Sequence, residues 1–72
     1  MMSVVEFSRT VSEHIAAGCR YGQAVFNALP AELTEMIVSG DIPDPYEMQG
    51  PDARVWILDH IVWDGDTLVG LE

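Results

Sequence analysis

At 72 residues the chain has room for one domain and none for a second, and a chain of this size buries only about 60% of the surface that its unfolded form exposes. An internal disulfide is excluded because Cys19 is the only cysteine, and an unpaired thiol suits a reducing compartment. Twelve acids stand against three arginines and no lysine, for a net charge of -9; a field of that sign repels nucleic acid and anionic membrane and favours a basic protein surface.

The first segment opens on Ser3 and Glu6, a capping-box pair. Val4, Phe7, Val11 and Ile15 then recur at three- and four-residue spacing, which predicts a helix over residues 3–17 with Gly18 as its stop. In the next segment Tyr21, Val25, Phe26 and Leu29 share one face, and Pro30 ends the run by holding Leu29 extended. Pro30 also suits the first position of a third helix, where Glu32 meets the positive end of the dipole, Leu33, Met36 and Ile37 point inward, and Gly40 closes the run.

Residues 41–52 hold Pro43, Pro45 and Pro51 and read as an extended loop, pinned to the core by Ile42, Tyr46 and Met48. After Gly50, Pro51 and Asp52 signal a helix start, and Val55, Leu58 and Val62 fit one face with Ile61 at its edge. Against that, Trp56, Ile57, Val62 and Trp63 favour strands, and Asp64-Gly65 is a two-residue hairpin signal. The preferred reading is a helix over residues 51–63 followed by a turn and tail, with a C-terminal β-hairpin as the alternative. The predicted class is therefore mainly α: a small bundle of three to four short helices in one acidic domain spanning residues 1–72.

The run Arg20-Tyr21-Gly22-Gln23-Ala24-Val25-Phe26-Asn27-Ala28-Leu29, with Asp44-Pro45-Tyr46 in the following loop and Arg54-Val55 near the start of the last helix, resembles a block in short uncharacterised proteins of bacteriophages and prophages. The resemblance covers residues 20–62 and implies an all-helical fold and a phage or mobile-element origin. It implies no activity, and the tail of residues 64–72 departs from it. Read as fold chemistry, Gly22 allows helices to approach closely, Gln23 and Asn27 sit four apart and can pair or cap a neighbouring helix, and Arg20 can reach an acid such as Asp44.

Catalysis is not expected. Cys19, His14 and His60 show no nucleophile, base and orienter spacing and no paired metal-ligand spacing. Asp64-Gly65-Asp66 is a fragment of a calcium loop without its closing Glu, and a chain without lysine has no phosphate-binding loop. No cofactor or metal is implied. No segment approaches the roughly 18 to 20 apolar residues of a membrane span, and Glu6 stands where an export signal carries positive charge. A cytoplasmic protein is expected, in the host cytoplasm if phage-encoded.

The acids are unevenly spread. Residues 1–40 carry Glu6, Glu13, Glu32 and Glu35 against Arg9 and Arg20, whereas residues 41–72 carry eight acids against Arg54 alone. The predicted partner-binding set is accordingly Asp44, Tyr46, Glu47, Trp56, Asp59, Trp63, Asp64 and Asp66, with exposed aromatics anchoring a contact that carboxylates steer. The leading expectation is a phage protein that binds and inhibits or redirects a host protein, its acids, Asp41 and Asp52 among them, mimicking DNA phosphates. The alternatives are a structural homodimer joined through the apolar stretch at residues 55–63, or an acidic antitoxin.

Overall fold

α1 (Val4–Ala16) begins where Ser3 Oγ accepts the Glu6 amide at 3.1 Å, with Glu6 in the positive first turn. It ends in a Schellman motif: Gly18 takes a φ of +102°, its amide donates to the Ile15 carbonyl at 3.0 Å, and the Cys19 amide donates to the His14 carbonyl at 3.0 Å. α2 (Tyr21–Ala28) and α3 (Ala31–Val38) are separated by extended Leu29 and Pro30, as proline geometry requires. α4 (Gly50–His60) carries Pro51 and Asp52 in its first turn. The computed structural model describes residues 2–72, and among the described residues these four helices are joined by a three-stranded antiparallel sheet.

The C-terminal stretch combines both sequence readings. The predicted helix forms but stops at His60, three residues early, and Ile61 turns extended. β2 (Ile61–Asp64) and β3 (Thr67–Leu71) then make the alternative hairpin. Strand formation buries Ile61, Leu68 and Leu71 in the same core as the helices, which a continuing helix through Trp63 would not do. The hairpin loop is Gly65-Asp66, one residue later than the predicted Asp64-Gly65. Gly65 has a φ of +62° and Asp66 does not share it; a type II′ turn asks for positive φ only at its first central residue, which glycine supplies. β1 (Met2–Ser3) adds to the other side of β3, with Met2 opposite Leu68, giving the order β1-β3-β2.

Phe7 and Val11 of α1, Val25 of α2, Ile37 of α3, Trp56 of α4 and Leu68 of β3 meet in one core. Among the described residues no polar or charged side chain is buried. The loop of residues 41–49 is anchored onto this core at several points. Ile42 and Pro45 are buried, the Trp56 indole donates to the Pro43 carbonyl at 2.7 Å, and the Asp44 carboxylate accepts the Tyr46 amide at 2.8 Å. Gln23 donates to the Tyr46 hydroxyl at 2.9 Å, and the Tyr46 ring meets Phe26 edge-on at 5.6 Å.

These contacts correct three expectations. Gly22 makes room for the loop rather than for a helix: its amide donates to the Met48 carbonyl at 3.1 Å, and a Cβ there would lie 1.9 Å from the Pro45 carbonyl oxygen. Gln23 pairs with Tyr46 and not with Asn27. Arg20 pairs with Glu47 at 2.7 Å instead of Asp44, whose carboxylate already holds its own turn.

Candidate functional site

The predicted partner-binding residues separate into three places. Asp44, Tyr46 and Glu47 belong to the loop, where Tyr46 is half-buried and Glu47 is tied to Arg20. Asp59 lies two turns beyond Asp52 on the outer face of α4, and the two wall a shallow hollow of about 350 Å³ with Pro43, Val55, Trp56 and His60. Asp64 and Asp66 flank Gly65 at the hairpin turn, which the Val4 amide holds to the start of α1 through the Asp66 carbonyl at 2.6 Å.

Trp56 is a correction. The sequence places it among exposed anchors, but it is 2% exposed and fills the core, with its indole N–H committed to Pro43. Trp63 is half-buried and meets Phe7 edge-on at 5.9 Å. Neither ring projects as a free aromatic. His60 stacks at a tilt 5.4 Å from Trp56 and its Nδ1 donates to the Glu72 carbonyl oxygen at 2.8 Å, so it ties the chain end to α4.

A second concavity joins part of the apolar stretch at residues 55–63, which the sequence offers as a self-association surface, to a face of α1 that it does not. Between α1 and α4 runs a groove of about 490 Å³, walled by Val4, Phe7, Val11 and Ile15 on one side and by Arg54, Ile57 and Leu58 on the other, with Tyr21 and Trp63 at its ends. Its wall is mostly apolar, with Ser8, Ser12 and Arg54 among its polar members, and carries no carboxylate. Arg54 sits 5.6 Å over the Tyr21 ring, a cation–π arrangement. Leu58 is 82% exposed. The stripe of Val4, Phe7, Val11 and Ile15 is legible as helix spacing, but the spacing does not say that Phe7 and Val11 face the core while Val4 and Ile15 extend past it.

Among the described residues no group of three or more His, Cys, Asp or Glu side chains gathers as a metal site, and no helix is long and apolar enough to cross a membrane. The architecture defines a mainly α domain of four helices with a small antiparallel sheet. Against known proteins the chain matches no family model, no curated protein and no solved structure.

Proposed function

We propose that the chain is an acidic interaction protein of phage or mobile-element origin that acts by binding, not catalysis: it engages a basic surface on a host protein, with carboxylates standing where nucleic-acid phosphates would. The observation that supports this most is the state of its acids. All twelve are exposed, and among the described residues only Glu47 is in an ion pair. Asp41 and Asp44 also accept hydrogen bonds within their own turns, from the Ser39 hydroxyl and the Tyr46 amide; the remaining carboxylates are left to the solvent and to whatever approaches. Asp52 and Asp59 wall the hollow on α4, and Asp44 follows Pro43 of the same lining in the chain; these are the acids assigned to the basic partner.

The test is capture from host lysate by the tagged chain, run beside Asp44→Asn/Asp52→Asn/Asp59→Asn. A basic protein retained by the native chain, lost from the variant and displaced by duplex DNA is the expected result. Equal retention by both chains, or retention that DNA does not disturb, would remove the phosphate-mimic reading. Self-association is a second reading, favoured by the uncovered groove.

A further inference from the structure

We infer that the groove between α1 and α4 is a self-association surface, covered by the same groove of a second copy turned about a two-fold axis, so that Arg54 of each copy meets Asp64 and Asp66 of the other. This goes beyond the proposed host contact and does not depend on it, since Asp44, Asp52 and Asp59 line no part of the groove.

Three features point to a second copy as the occupant. Two chains of net charge -9 repel wherever acids face acids, yet this wall holds no carboxylate, while the neighbouring hollow is walled by Asp52 and Asp59. The groove also leaves Leu58, Val4 and Ile15 substantially exposed, apolar area that association would remove from water.

The third feature is its charge polarity. Arg54 lies over Tyr21, the first residue of α2, and so marks the end of the groove beside the C-terminus of α1. At the opposite end Trp63 meets Phe7 and the Asp66 carbonyl holds the Val4 amide, which brings the hairpin turn and its two aspartates there. Val4 and Ile15 are eleven residues apart along α1, roughly 16 Å at the helical rise, about twice the screening length at physiological salt. The ends therefore act as separate charges. In an isologous contact each patch meets its own copy reversed, so a two-fold axis across the groove sets the positive end of each chain on the negative end of the other, twice. A helix from another protein would need a base at one end and an acid at the other to match; a second copy already has both.

The experiment is sedimentation equilibrium on the native chain, on Arg54→Asp, on Asp64→Arg/Asp66→Arg, and on an equimolar mixture of the two variants, with circular dichroism to confirm that each is folded. The native chain is expected to dimerise. Each variant alone sets like charges at both contacts and is expected to weaken dimerisation at least about tenfold. In a mixed pair both contacts again join opposite charges, one with its signs exchanged and one as in the native chain, and association is expected to recover to within about threefold of native. Leu58→Asp, at an exposed position that folding does not use, is expected to be monomeric. A native chain monomeric up to about 1 mM would overturn the proposal and leave the groove to a segment of another protein. So would a dimer unchanged by Leu58→Asp and both charge reversals, or variants that stay apart when mixed.

Discussion

The loop of residues 41–49 and the groove between α1 and α4 reverse the usual relation between regular structure and packing. The loop has no helix or strand, yet Ile42 and Pro45 are buried and its backbone and side chains are held by Trp56, Gln23 and Gly22. The groove is built on two well-formed helices, yet Val4, Ile15 and Leu58 on its walls stay uncovered. Backbone hydrogen bonds make a helix wherever the local pattern allows; whether a side chain on it is buried depends on what lies across from it. In this chain the irregular segment completes the core, and a regular surface is left without a partner.

The largest effect should come from removing the residue on which the loop closes. Trp56→Ala empties a core site and strips the Pro43 carbonyl of its donor. Large-to-small core changes cost about 3–5 kcal/mol, comparable with the about 3–5 kcal/mol that a single core supplies in a chain this small. Urea denaturation should find the variant largely unfolded in buffer, while Trp56→Phe, which keeps a ring but loses the donor and part of the indole's volume, should stay folded with a lower midpoint. A fully folded Trp56→Ala would mean that the loop is not part of the cooperative core.

Gly22→Ala comes next, and here two effects oppose each other. Alanine in a helix interior gains about 1 kcal/mol over glycine, an upper bound at Gly22, the second residue of α2. At this position the added Cβ would stand 1.9 Å from the Pro45 oxygen and 2.7 Å from the Met48 oxygen, both backbone atoms that cannot swing aside as a side-chain end does. Overpacking of this kind costs about 1–3 kcal/mol or more, so the net change should be a loss, read as a fall in melting temperature. A rise would show that the loop can lift from α2 at little cost.

That same glycine shows where sequence reading stops. The helices of residues 3–17 and 21–29, the break at Pro30 and the pinned loop are all legible, because each rests on a few neighbouring residues. Gly22 is legible as a point of close approach, but not what approaches, since Met48 is 26 positions away and no local pattern connects them. The C-terminal stretch is ambiguous for a physical reason: Trp56 and Ile57 tolerate either geometry, and the choice falls to whether Ile61, Leu68 and Leu71 find the core. At the candidate site the acids read correctly as exposed because acids nearly always are. Trp56 misleads because its N–H partner, Pro43, is supplied by the fold alone.

Tyr46→Phe should cost less. It removes the acceptor of the Gln23 amide in a half-buried setting, and a net loss of about 1 kcal/mol is expected from chemical denaturation. Glu47→Gln should cost less again. Its pair with Arg20 is exposed on both sides, so about 0.5 kcal/mol is the scale, and the difference from native should fade as salt is raised. A loss that persisted in high salt would show that the pair clamps the loop by geometry and not by charge.

Leu58→Asp, on the other side of the comparison, should have the smallest effect on the isolated fold. Its side chain is 82% exposed, so little packing is lost with it, and the acid in the last turn of α4 opposes the helix dipole by about 0.3–0.5 kcal/mol in dilute solution. Its consequence should appear only as concentration rises. If the groove is covered by a second copy, mass action makes the native melting temperature climb with protein concentration, while that of Leu58→Asp stays level, so the two curves lie close when dilute and separate further when concentrated. Curves that keep one spacing throughout would mean that the apolar wall is indifferent to its own copies. A variant destabilised when dilute by more than about 1 kcal/mol, beyond what the helix dipole accounts for, would mean that Leu58 supports the monomer in a way its exposure does not show.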